Sequence, residues 1–204
     1  MKKISIFGFL GTATYLLTII IGGLFRDNYR LFIDPISRIF ARGLPGSWAI
    51  ALFLTLGNFL IIAIAIGIFI RSKNTFIKTG MIFLIFSGII ASILYNFFPM
   101  DPWLGGRTPA DVIHNDIFGV VVASIIFALF FFALGAKFEL RYKSLSKYLW
   151  ATFIAFLAVS VAGGISWDNF PYLTGSLESI FLLIFMQWLI VISRTLQLEH
   201  NKNN

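Results

Sequence analysis

Six long apolar stretches separated by short polar connectors dominate the hydrophobic pattern of this chain. They fall at residues 4–25, 47–70, 79–98, 109–135, 148–166 and 175–193. At about 1.5 Å of helix rise per residue, runs of roughly 19 to 27 residues cross a hydrocarbon layer about 30 Å thick. The pattern predicts an all-α, polytopic membrane protein: one domain over residues 1–204 with six transmembrane helices. The first run follows Lys2 and Lys3 but is too long for the apolar core of a signal peptide and has no small-residue cleavage site. It is read as a retained first helix.

Composition agrees. Hydrophobic residues make up 58% of the chain, with 24 Phe and only 12% charged residues, more apolar than a soluble core needs. The formal charge of +7 does not point to nucleic acid, because the basic residues sit in the connectors. The chain has no cysteine, which excludes disulfides, thiolate chemistry, cysteine-held metals and a lipoprotein anchor. Hydroxyl, carboxylate, imidazole and amide chemistry is what remains.

Orientation follows from the cations. Lys2, Lys3, Arg71, Lys73, Lys78, Lys137, Arg141, Lys143, Lys147, Arg194 and Lys202 place eleven on one side; Arg26, Arg30, Arg38, Arg42 and Arg107 place five on the other. Both termini are therefore expected in the cytoplasm, in a multi-pass protein of the cell membrane. The acids run the other way. Asp27, Asp34, Asp101, Asp111, Asp116, Asp168 and Glu178 lie on the outer side, and only Glu139 and Glu199 lie inside. Trp48, Trp103 and Trp167 mark the outer interface, with Trp150 and Trp188 towards the inner one.

Two connectors carry local structure. Asp34-Pro35 followed by Ile36, Ile39 and Phe40 reads as an N-cap, a proline at N1 and a one-sided apolar turn, ended by Gly43 and Pro45. It predicts a short amphipathic helix on the outer surface with Arg38 and Arg42 on its polar side. Thr108-Pro109-Ala110-Asp111 repeats the device, with Asp111 at N3, so the fourth helix begins outside the hydrocarbon.

The candidate chemistry gathers at that outer side, in Asp34, Ser37, Asp101, Asp111, His114, Asn115, Asp116 and Glu178. Polar groups at such depth are costly unless they pair or work. Asp111 and His114 stand three apart on one helical face, where the carboxylate can fix the ring tautomer. The simpler reading of Asp111 and Asp116 is that acids favour a helix N-terminus. Glu178 calls for a cationic partner from another connector: Arg38, Arg42 or Arg107. Asn58 and Gln187 are expected to knit helices together, and the glycines of helix one to allow close packing.

No metal and no cofactor is expected, since His200 in the tail is a membrane away from His114 and no phosphate loop or metalloprotease pair occurs. A Ser37, His114 and acid arrangement is possible from the residue types, with the three residues drawn from separate connectors.

Asp34-Pro35-Ile36-Ser37, Phe98-Pro99-Met100-Asp101, His114-Asn115 and Gly175-Ser176-Leu177-Glu178, in that order on six hydrophobic helices, resemble a family of bacterial membrane proteins catalogued as domain of unknown function 998. The resemblance runs from helix one to helix six. Ser179 stands where that family usually carries Arg after the helix-six Glu, which removes the cation from that spot. A remoter similarity, in the outer-loop Asp/Ser element and the later Asp and His, is to a eukaryotic six-helix family that includes autophagy modulators and a remodelling factor for glycolipid anchors. The analogy implies work on lipid.

Two functions follow as expectations. The first is a membrane protein that binds or moves a lipid or small amphiphile through an outer-facing pocket lined by Asp34, Ser37, Asp101, His114 and Glu178. The alternative is an intramembrane lipid hydrolase or transferase using His114 as base with Asp101 or Glu178 as acidic partner. In both, the partners are membrane lipid and an amphiphilic ligand, with no nucleic acid.

Overall fold

The computed structural model describes residues 2–102 and 108–202, except the side chains of Lys2, Lys3, Trp167, Asp168, Pro171 and residues 199–202. The expectations placed on Trp103, Arg107, Trp167, Asp168, Glu199 and His200 lie outside the described residues. The helices are α1 (Lys2–Leu24), α2 (Ser47–Arg71), α3 (Thr75–Phe97), α4 (Pro109–Ala136), α5 (Leu140–Lys143), α6 (Ser146–Asn169) and α7 (Thr174–Lys202). Two 3-10 turns, Ile36–Phe40 and Pro171–Leu173, complete the described elements. All but the four-residue α5 are long and apolar enough to cross a membrane. The chain is an all-α, multi-pass membrane protein, and it carries the short amphipathic turn in its first long connector.

Boundaries differ from the apolar runs where polar residues decide them. Helix α3 starts at Thr75, before the expected 79, because the Asn74 side chain caps it by accepting the Ile77 N–H at 3.1 Å. Helix α7 runs well past residue 193. No Gly or Pro stops it there, and Leu196 is still buried.

The six long helices close into a ring. Each packs on its neighbour in the order α1, α2, α3, α4, α6, α7, and α7 returns to α1. Gly8, early in α1, lies against Ser193, late in α7, so closely that a Cβ there would collide with the serine hydroxyl. Just beyond the other end of α1, Asp34 lies against Gly175 at the start of α7. The two helices are therefore antiparallel, and both chain ends lie at one end of the bundle, here the terminal end. The opposite, distal end holds the Asp34 connector.

Large apolar side chains such as Leu17, Leu52, Phe127, Ile154 and Leu183 remain exposed around the ring, as lipid-facing positions must. Trp48 fits an interfacial belt, being well exposed at the distal end of α2. Trp188 does not. It is fully buried, edge-on to Phe132 at 5.3 Å and stacked on Phe185, because α7 is packed between α1 and α6. Sequence depth alone does not tell which way a helix residue faces.

Candidate functional site

Construction of the site begins with Asp34 and Pro35. The proline ring fixes φ at −55° and ψ stays extended, so the turn starts only at Ile36 and takes 3-10 form. Its apolar residues Ile36, Ile39 and Phe40 are sunk into the bundle end instead of lying on the surface.

Asp34 does not cap that turn. Its carboxylate accepts the Arg30 main-chain N–H at 2.7 Å, the Arg38 guanidinium at 2.9 Å and the Arg30 guanidinium at 3.3 Å. Burial acts to raise its pKa, but the Arg30 hydrogen bonds and the two cations outweigh it and hold the carboxyl below the usual aspartate value. Nearby, Phe32 is held in the left-handed region at φ 68°, a strained conformation for a bulky residue.

The missing cap comes from the other end of the chain. Glu178 Oε2, on the first turns of α7, accepts the Ile36 N–H at 2.7 Å. Ser176 Oγ donates to Phe32 O at 2.7 Å. A Cβ on Gly175 would run into the backbone of Ile33 and Asp34, so only glycine permits this approach. The Asp34-Pro35-Ile36-Ser37 and Gly175-Ser176-Leu177-Glu178 segments thus form one contact.

The other two segments interlock with it. Arg42 N donates to Met100 O at 2.8 Å, and Ser37 Oγ donates to Met100 Sδ at 3.4 Å. Thr108 and Asp111 form the expected capping box at the start of α4. The box also reaches sideways: Thr108 Oγ1 donates to Asp101 Oδ2 at 2.8 Å, and Asp101 N donates to Asp111 Oδ1 at 3.0 Å. Arg42 Nε stands 3.6 Å from Asp101 Oδ1.

His114 is buried below this layer, stacked on Tyr95 at 4.8 Å and tilted against Phe40. Its Nδ1 is 2.8 Å from Phe98 O. A carbonyl can only accept, so Nδ1 carries the proton and Nε2 is left for other partners. The ring is oriented by Phe98, while Asp111 is occupied by its cap.

Beneath the loops lies a cavity of about 100 Å³ whose walls include Tyr15, Ser37, Asn58, Tyr95, His114 and Glu178. Glu178 Oε1, His114 Nε2, the Asn58 amide and the hydroxyls of Tyr15 and Tyr95 have no hydrogen-bond partner among the described residues. Glu178 meets no cation there either, since Arg38 pairs with Asp34 and Arg42 faces Asp101. A groove of about 540 Å³ runs outward between α4 and α6, past Ile126, Gly163 and Gly164. Ser37, Phe118, His114, Val122, Glu178 and Phe181 line both spaces.

Of the expected pocket residues, the structure brings Ser37, His114 and Glu178 to the cavity. Asp34 and Asp101 stand in the loop layer at the same end, tied to arginines and to Thr108. Asn115 and Asp116 line only the groove. Ser37 donates to Met100 and makes no hydrogen bond with His114. Among the described residues no three His, Asp or Glu stand close enough to hold a metal.

Neither Asn58 nor Gln187 bonds another helix among the described residues; Asn58 faces the cavity and Gln187 is exposed. Helix knitting falls to Asn96, whose Nδ2 donates to Thr55 Oγ1 at 3.0 Å. Tyr15 and Tyr95 were not anticipated as lining groups. The signal available for Tyr15 was its depth, since it stands in the middle of a span and not at the interface where tyrosine collects.

No curated protein and no solved structure matches this chain. The model of the family described as "Protein of unknown function (DUF998)" matches residues 9–195, nearly the whole chain, and the protein belongs to that family.

Proposed function

We propose that this protein binds, or moves, a lipid or small amphiphile in the cell membrane, with the polar head in the central cavity and the apolar part in the groove between α4 and α6. One observation carries the reading: a cavity lined by unpartnered polar groups shares its walls at His114, Phe118, Glu178 and Phe181 with an apolar groove at the bundle's flank. These groups face a space large enough for water, so a bound head can take the hydrogen bonds that water would otherwise make. A carboxylate without a counter-cation favours a neutral or cationic head that donates hydrogen bonds over a phosphate. The loops hold this arrangement through Asp34 and Asp101, which position the cavity roof.

The test is mass spectrometry of lipids that remain on the protein after extraction from native membranes in mild detergent. A Cβ at Gly164 meets nothing within 4 Å, so Gly164→Leu narrows the groove without a clash. The expected result is a lipid class enriched over the bulk extract on the wild type and depleted on Gly164→Leu and on Glu178→Gln. Lipid profiles identical to the bulk extract for all three proteins would overturn the reading.

A further inference from the structure

A second concave surface lies between the distal halves of α1 and α2 and shares no lining residue with the central cavity. It encloses about 950 Å³. On α1 its wall is formed by Thr14, Leu17, Thr18, Ile21 and Phe25, positions that recur on one helical face. Ala49 and Phe53, one turn apart on α2, face them. From Thr14 to Phe25 a helix rises roughly 16 Å, about half of a hydrocarbon layer. The groove therefore has the depth of a single leaflet.

Its mouth carries a fixed cation. Arg26 Nε donates to Ile39 O at 2.7 Å and Nη1 donates to Pro45 O at 2.6 Å, while Nη2 is shut from solvent without a hydrogen-bond partner. Both partners are neutral carbonyls, and no carboxylate neutralises Arg26 among the described residues. Arg38 lines the same mouth, and Asp27 is the one carboxylate in the lining among the described residues. Arg38 is paired with Asp34, which Arg30 shares, so three cations, Arg26, Arg30 and Arg38, stand against two acids, Asp27 and Asp34, around this mouth and leave it one positive charge in excess above apolar walls.

Apolar walls alone mark ordinary lipid contact, which every outward face of this bundle makes. A cation pinned by two main-chain carbonyls at the head of a leaflet-deep groove adds charge complementarity to shape. We propose that this groove is a specific site for one anionic phospholipid of the distal leaflet, with its phosphate at the Arg26 mouth and an acyl chain along Leu17, Ile21 and Phe53. A fixed guanidinium meets a phosphate without first losing side-chain freedom. The site goes beyond the central cavity and uses none of its residues.

The test is native mass spectrometry of the full chain, delipidated in detergent and titrated with dioleoyl phosphatidylglycerol, with dioleoylglycerol (the same chains without phosphate) or with inorganic phosphate. The wild type should retain one phosphatidylglycerol per chain about tenfold more tightly than dioleoylglycerol, and inorganic phosphate should not displace it. Arg26→Gln should bring phosphatidylglycerol down to the dioleoylglycerol level and leave dioleoylglycerol unchanged. Ala49→Trp, which fills the wall and touches no charge, should weaken both lipids, and Glu178→Gln should change neither. Equal retention of the two lipids by the wild type overturns the proposal, as does displacement by phosphate. An equal loss of both lipids in Arg26→Gln also overturns it, by confining Arg26 to holding the turn.

Discussion

Asp34 shows how a single buried carboxylate can serve the site without lining it. With its folded pKa below the ordinary aspartate value, the ionised form is the one the loop stabilises. The contribution is thus complete above the unfolded pKa, about 3.9, and is lost as pH falls through the folded value. Arg30 is largely exposed and Arg38 partly so, so solvent screening reduces what their charges add. Asp34→Asn should cost about 1–3 kcal/mol at neutral pH, mostly through the charged hydrogen bonds. Thermal unfolding in detergent should show the gap between wild type and variant closing as the buffer is taken below about pH 4; a gap independent of pH would mean that the carboxylate acts only by shape. Gly175 makes a complementary case. Gly175→Ala should cost about 1–3 kcal/mol, because the added methyl meets main chain that cannot step aside. Local spacing made the Thr108 and Asp111 cap legible, since both partners lie within one turn. The Glu178 contact was not legible. Its partner is a main-chain N–H 142 residues away, and a main-chain group leaves no mark in a sequence.

At the scale of elements, the six spans were readable because lipid leaves the backbone no choice: a crossing segment must satisfy its own hydrogen bonds, and a helix does so within the segment. Helix ends were less readable, since hydropathy reports where lipid ends and not where the backbone stops winding. The Asn74 cap and the continuation of α7 past Ser193 both follow from residues that hydropathy ignores. The first connector was read correctly as a short amphipathic element, but its Asp34 cap, its proline at N1 and its place on the surface were not, because Pro35 stands before the turn and Glu178 of α7 arrives to cap it. The α4 capping box is where an element boundary and the site meet, because Thr108 satisfies α4 and also holds Asp101. Thr108→Ala should lower stability by about 1 kcal/mol, within the usual range for a lost cap, and Thr108→Ser should restore most of it. Differential scanning fluorimetry of the two variants checks this; equal unfolding temperatures for Ala and Ser would assign the effect to the threonine methyl instead of the hydroxyl.

For the whole molecule, the ring places the start of α1 and the end of α7 at one end and the candidate site at the other, and charge predicts the side that each faces in the cell. By sequence, eleven of the sixteen Lys and Arg residues belong to the connectors and tails on the side of the termini and five to the connectors on the other side. Cations in short connectors are retained on the cytoplasmic side during insertion, whereas acids contribute little to orientation, so the excess predicts that the terminal end faces the cytoplasm. In that orientation the cavity, the groove between α4 and α6 and the Arg26 mouth would all open towards the outer leaflet. Because the chain has no native cysteine, single cysteines report accessibility without background. Lys143, at the end of α5, and Asn169, at the end of α6, lie at opposite ends of the one long helix α6 between them. In intact cells an impermeant thiol reagent should label Asn169→Cys and leave Lys143→Cys untouched until the membrane is permeabilised. The reverse pattern would turn the bundle over. Both proposed lipid sites would then face the cytoplasmic leaflet, where the Arg26 groove would still find anionic phospholipid but a role at the outer surface would be lost.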